Sequence, residues 1–278
     1  MPGDKAMVDI NFDSKASVYE QKALVQKSAS EVLLGLMSIR EDENVLDLGC
    51  GSGRTTREIA RRTEGIVVGT DISGSMINEA ISNNAGQPNV SFLVKDAECL
   101  GISNSFDVIY CNSAFQWFSH PKKVLKQCFA ALKPGGRMGI QAPATSLYCP
   151  NFVSAIEQVR NNPATRKTFG FFKNPWMFLE SEDDYRTLFE KSGFDVVKCT
   201  IVEESGRYTV DQVYDIYQSG AENGYLNQSF YSVSLTDEYV ETFRSLMKTA
   251  FKEQADESGM VNLTFNRIYL VAKKSQKT

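Results

Sequence analysis

Residues 45–53 read Val-Leu-Asp47-Leu-Gly49-Cys50-Gly51-Ser-Gly53, with Arg54 next. The run from Asn44 to Leu48 is short, apolar and bounded by turn residues, which predicts a buried strand. The three glycines in G-x-G-x-G spacing let the backbone turn sharply and come close to a ligand. Residues 54–63 then read as a helix. A nicotinamide-dinucleotide fingerprint requires G-x-G-x-x-G, and position 54 is Arg instead. Asp47 stands two residues before the first glycine. A carboxylate there repels a pyrophosphate and suits a ligand that carries an ammonium group.

The same rhythm continues on both sides. Residues 12–38 read as one or two helices ahead of the core. Residues 65–70 form a second strand ending at Asp71, and 73–83 a second helix. Third and fourth strands follow at 89–94 and 106–111. Residues 121–132 are a helix stopped by Lys-Pro-Gly-Gly, and 137–141 are a fifth strand. Strands separated by crossover helices imply a parallel α/β sheet with right-handed crossovers. Ligands of such sheets gather beyond the carboxyl ends of the strands. That puts Gly49–Gly53, Asp71, Asp96 and the segment 111–120 on one rim. Asp71, at a strand end, can accept both hydroxyls of a ribose. A nucleoside bearing an amino acid meets all these demands, and S-adenosylmethionine is that ligand.

After residue 143 the alternation breaks. Residues 181–192 read as a helix, 194–203 and 261–272 as strands. The stretches 143–180 and 204–258 are left over, and they are rich in aromatics. Connections this long in a compact α/β domain are usually lids or caps; the alternative is a helical extension that only covers the sheet.

The composition bounds the function. The 278 residues carry 30 Lys and Arg against 34 Asp and Glu, a net charge of −4. A broad phosphate-binding face calls for a basic chain, so a nucleic-acid partner is not expected. No apolar run approaches the length of a membrane span, and residues 1–17 lack a signal-peptide core. Six cysteines, none in C-x-x-C spacing, and one histidine argue against a metal site. Reduced, mostly buried thiols in the cytoplasm are the expectation.

Five segments together carry a family resemblance: VLDLGCGSG (45–53), GTDISGSM (69–76), KDAECL (95–100), FDVIYCNSAFQWF (106–118) and LKPGGRMGI (132–140). In this order and spacing they resemble the class I S-adenosylmethionine-dependent methyltransferases. Within that superfamily, NFDSKASVYEQKA (11–23), SAFQWFSHP (113–121) and NLTFNRIYLVAKK (262–274) resemble the group of trans-aconitate methyltransferase and the malonyl-carrier-protein methyltransferase. The resemblance implies one domain over residues 1–278. Its core is a Rossmann-like, doubly wound, seven-stranded and mostly parallel sheet, with N-terminal helices and a helical cap. It implies that Gly49, Gly51 and Gly53 pack under the methionine part of the cofactor with Asp47 nearby. Asp71 holds the ribose, and Ile72 and Met76 flank the adenine. Asp96 and the Ala97 N–H meet the adenine edge, and the Asn112 carbonyl lies near the methionine ammonium. Met76 also reads as a core residue, and Asp96 as a helix or turn cap.

The group implies O-methylation of a small-molecule carboxylate. A carboxylate is ionised near pH 7 and needs no general base. Gln116 and the Trp117 indole are placed to hold an anion, with Tyr19 and Gln21 folding over from the N-terminal helix. Trp117 and Tyr19 also read as packing residues. His120 reads either as a base or as part of a helix entry. An arginine could fix a second carboxylate bidentately; Arg160, Arg166 and Arg186 are candidates. Transfer to another oxygen, nitrogen or carbon is the second reading, and a non-catalytic cofactor-binding protein the third. A nucleic-acid methyltransferase is least expected, because Cys111-Asn-Ser-Ala stands where an Asn/Asp-Pro-Pro-Tyr/Phe segment would.

Overall fold

Val45, Leu46 and Leu48 are buried on both faces of the sheet, so the first strand sits at its centre. The fold is that of a computed structural model, which describes residues 24–275. Its elements are α1 (Leu24–Met37), β1 (Val45–Leu48), α2 (Arg54–Ala60), β2 (Val67–Asp71), α3 (Gly74–Asn83), β3 (Val90–Val94), β4 (Phe106–Asn112), α4 (Pro121–Ala131) and β5 (Leu132–Pro143). They continue with α5 (Pro150–Asn161), α6 (Arg166–Phe169), α7 (Glu182–Glu190), β6 (Phe194–Thr209), α8 (Val210–Ser219), α9 (Glu222–Tyr225), α10 (Asp237–Glu253) and β7 (Met260–Lys274).

The seven strands form one sheet in the order β3-β2-β1-β4-β5-β7-β6. β1 to β5 are parallel, and β7 runs antiparallel to both of its neighbours. The expected Rossmann-like, mostly parallel sheet is therefore present. Asp47 is level with Gly69 of β2 and Tyr110 of β4, so the glycine turn leaves the sheet between the carboxyl ends of its central strands.

One apolar layer packs the sheet against α4 and α7 through Val124, Leu125, Leu188 and Phe189. The opposite layer joins Leu33 and Met37 of α1 and Ile59 of α2 to Val45, Val67 and Val108. Tyr110 pins α1 to β4, its hydroxyl donating to the Ser30 carbonyl at 3.0 Å. Of the predicted N-terminal helices, residues 12–23 lie outside the described residues. Five of the six cysteines are buried, Cys99 is exposed, and all six are unpaired. Among the described residues, no helix is long and apolar enough to cross a membrane.

The sixth strand was expected to end at residue 203, but β6 continues to Thr209. Its last six residues, Glu204 to Thr209, pair with Phe265 to Met260 of β7. This overlong ribbon carries a second apolar cluster, in which Phe152 and Ile156 of α5, Val213 and Tyr217 of α8, and Phe243 and Phe251 of α10 meet Val261, Leu263 and Phe265. Local signals start these helices. Thr209 and Gln212 form a capping box at α8, and Thr236 caps α10 ahead of Asp237 and Glu238.

Candidate active site

A cavity of about 890 Å³ opens over the carboxyl ends of β1, β2 and β4 and runs under α8. Asp47, Gly49, Gly51, Asp71, Ile72, Met76, Asp96, Ala97 and Asn112 all line it. Gly53 sits behind it, where a Cβ would come within 2.9 Å of Phe92 and Ala80. Gly49 has a φ of 74°, and a Cβ there would lie 2.4 Å from the Ala114 Cβ. The turn is thus open to a ligand on one side only because its backbone is bare.

Two carboxylates set the electrostatics of this half. Asp47 is 2% exposed and accepts from the Thr56 hydroxyl at 2.6 Å. Burial pushes its pKa up to about 7; the Thr56 bond opposes this, and the charge of Asp71 adds to it. Among the described residues, no ion pair compensates Asp47. Asp71 accepts the Gly51 N–H at 3.0 Å and the Ser73 N–H at 2.9 Å. Burial raises its pKa, and these backbone donors counter it. An uncompensated buried carboxylate is costly unless it meets a cation. A ligand with an ammonium and a sulfonium supplies one, so the residues present fit S-adenosylmethionine.

The other predicted positions divide. Met76 is buried within α3 and also faces the cavity. Ile72 is 49% exposed at its rim. Asp96 caps the single 3-10 turn of Ala97–Cys99, its Oδ1 accepting the Glu98 N–H at 2.8 Å, and it lines the cavity too.

Beyond β4, the 3-10 turn Phe115–Trp117 brings Gln116 and Trp117 to the cavity wall. Gln116 donates to the Ser113 carbonyl at 2.9 Å, and its buried Oε1 has no partner among the described residues. His120 reaches the mouth, but its Nδ1 is 2.8 Å from Glu98 Oε1 and its side chain is 64% exposed. Tyr19 and Gln21 lie outside the described residues.

The arginine candidates need correcting. Arg160 pairs with Glu157 at 2.8 Å and Arg186 faces Glu190 at 3.9 Å, both on helix surfaces, and Arg166 is exposed on α6. None of the three lines the cavity. Arg267 does, and it is 3% exposed. It stands on β7 level with Pro143 of β5. With the Gln141 amide oriented to satisfy its neighbours, Gln141 accepts from Arg267 Nη1 at 3.2 Å. It then donates to Asn112 Oδ1 at 2.9 Å and Ser113 Oγ at 3.1 Å. This chain of contacts links Arg267 to the end of β4. The signal in the sequence was a charge inside an apolar strand, Phe265-Asn-Arg267-Ile-Tyr269.

A family profile described as "methyltransferase domain" matches residues 45–136. The chain is 24% identical over 277 residues to malonyl-(acyl-carrier protein) O-methyltransferase of Acetivibrio thermocellus, covering 98% of this chain and 94% of that one. It is 34% identical over 127 residues to trans-aconitate 2-methyltransferase of Deinococcus radiodurans, covering 45% of this chain and 48% of that one. With the exception of the Acetivibrio protein, it spans about half the length of the curated relatives it matches. Phosphoethanolamine N-methyltransferase 2 of Haemonchus contortus, solved with S-adenosyl-L-methionine, superposes with a TM-score of 0.56. That match has 20% identity and covers 95% of this chain and 57% of that one. The glycine turn, the two acids at the strand ends and the 3-2-1-4-5-7-6 sheet thus occur in a chain whose residues 45–136 match a methyltransferase domain and whose fold is similar to that of a solved methyltransferase.

Proposed function

We propose that the protein methylates a small-molecule carboxylic acid, giving its methyl ester. The observation that carries this reading is the absence of an available base. Among the described residues, the part of the cavity beyond β4 presents no Asp, Glu or Lys. The His120 side chain is 64% exposed at the mouth, and burial drives the Tyr148 hydroxyl well above its ordinary pKa. An amine or phenol would need a proton removed first, whereas a carboxylate arrives ionised.

In this reading Asp47 meets the methionine ammonium of the cofactor, Asp71 the ribose, and Ile72, Met76, Asp96 and Ala97 the adenine. When bound, S-adenosylmethionine supplies a methyl already activated by the sulfonium, so that a carboxylate lone pair forms the C–O bond as the C–S bond breaks and no proton moves. The residues of this chain align the acceptor and exclude water, and alignment of this kind is worth about 7–11 kcal/mol in well-oriented systems. Gln116 and Trp117 position the acceptor, and the helices on the β6–β7 ribbon act as the cap. The relatives named malonyl-(acyl-carrier protein) O-methyltransferase and trans-aconitate 2-methyltransferase support an acid as the acceptor, and the unpaired cysteines suit the cytoplasm. Incubation with methyl-labelled cofactor and a set of carboxylic acids tests the reading. The label is expected in an ester that alkali hydrolyses; label in an alkali-stable product would place the methyl on another atom.

A further inference from the structure

Arg267 is a buried guanidinium whose donors are largely unspent. An arginine carries five N–H groups in a fixed fork. Among the described residues, its contacts are Gln141 through Nη1, the Phe265 ring 4.6 Å beneath it, and Glu204. Glu204 Oε2 lies 3.0 Å from Nε but out of line with its N–H, which makes no hydrogen bond. The other Glu204 oxygen accepts from the Tyr269 hydroxyl at 2.6 Å. Removing such a group from water is unfavourable until an anion completes its donors.

The surroundings of Arg267 define the rest of that anion. Every other charged side chain of the cavity wall lies between residues 31 and 98, Arg54, Arg62 and Lys95 being the cations there, except His120 at the mouth. Among the described residues, the part of the wall from Asn112 to Arg267 offers a second carboxylate no further arginine or lysine. What it would find is a run of rings: Tyr148 stacks on Phe178 at 5.0 Å, Trp176 lies 5.5 Å from Trp117, and Phe152 meets Phe265 edge-on at 5.6 Å. The cavity then continues beneath α8 to Ile216 and Phe230.

We propose that the acceptor is a monocarboxylic acid with an extended apolar body, its carboxylate held by Arg267 and its hydrocarbon laid among these aromatic rings. This rests on the carboxylate reading above. It narrows that reading from small polar acids to hydrophobic ones, since each methylene buried in such a sleeve improves binding by about fourfold.

The test uses the full chain with hexanoate, decanoate, trans-aconitate and a malonyl thioester of pantetheine as probes. Methyl-ester formation is measured with labelled cofactor, and decanoate binding is measured by calorimetry on protein loaded with S-adenosylhomocysteine. Decanoate is expected to exceed both hexanoate and trans-aconitate in kcat/KM by at least tenfold. Arg267→Met is expected to raise the decanoate KM and Kd at least thirtyfold with cofactor affinity unchanged, and Arg267→Lys to recover part of the loss. The wild-type chain-length series does not depend on either variant folding. Preference for trans-aconitate or the malonyl thioester, or an unchanged decanoate Kd in cofactor-competent Arg267→Met, overturns the inference and leaves the carboxylate reading intact. Bound cofactor with no ester from any acid overturns both.

Discussion

Thr56 Oγ1 donates a 2.6 Å hydrogen bond to Asp47 Oδ2, and no cation joins them among the described residues. Burial leaves Asp47 with a pKa of about 7, far above the ordinary 3.9. In the free protein it therefore ionises only as the pH rises through about 7. A cationic ligand binds the ionised form, so below that pH binding must expel a proton. Cofactor affinity is expected to fall by up to tenfold per pH unit between pH 7 and pH 5.5. In Asp47→Asn it should be weaker and nearly flat. Calorimetry across pH 5.5–8.5 checks this, and a wild-type affinity independent of pH would detach Asp47 from the ammonium.

Asp71 has two duties. Its oxygens staple the Gly51 and Ser73 N–H groups together, and they face the cavity where a ribose is proposed. Asp71→Ala is expected to weaken cofactor binding by at least about 1.5 kcal/mol, the worth of a lost charged acceptor. Unchanged affinity in a folded Asp71→Ala variant would remove the ribose role.

The gathering of the glycine turn and Asp71 on one rim was legible because it is encoded locally. The strand, the bare turn and the following helix are neighbours along the chain, and Asp71 ends the very next strand, so spacing alone placed them together. Arg267 depends on a pairing across the whole chain, Pro143 of β5 against Arg267 of β7, which no local pattern reveals. Its charge within a strand flanked on both sides was the available clue, since such a strand is expected to be apolar. The extension of β6 was hidden for a different reason. Glu204-Ser-Gly-Arg207 is polar and falls in the stretch assigned to the cap, yet in the ribbon these residues alternate between half-buried and exposed positions over the second cluster.

His120 is the one imidazole in the chain, and its side chain is 64% exposed at the mouth of the cavity. Glu98 holds Nδ1 and also accepts from Lys123 Nζ at 3.3 Å. Burial alone would raise the Glu98 pKa, but His120 and Lys123 outweigh it and keep the carboxyl below its usual range. His120→Ala is therefore expected to change kcat/KM by less than about threefold. Steady-state kinetics decide it: a loss of about a hundredfold, the lower end of general-base contributions, would make His120 the base.

Arg137 joins α1, β1 and β5 through one guanidinium. Its Nη1 and Nη2 donate to the two oxygens of Glu43 at 2.6 and 2.8 Å, and its Nε and Nη2 donate to the Met37 carbonyl at the end of α1 at 2.9 and 2.7 Å. Glu43 is 2% exposed, and without Arg137 only the Arg40 guanidinium at 3.0 Å and the Arg40 N–H would remain to hold this buried carboxylate. Arg137→Met is expected to cost about 3–5 kcal/mol, the range for breaking a buried pair from one side. The pH dependence gives the sign. Burial pushes the Glu43 pKa up, but the Arg137 hydrogen bond, the Arg40 N–H and the two guanidinium charges together hold it below the ordinary value. A carboxylate depressed in the folded state stabilises fully above its unfolded pKa of about 4.3, and that stabilisation disappears as the pH falls through the folded pKa. Urea titrations at pH 7 and pH 3 should therefore show a larger gap between wild type and Arg137→Met at pH 7. A gap of equal size at both pH values would mean that Arg137 acts through the Met37 carbonyl and its packing, and not through Glu43.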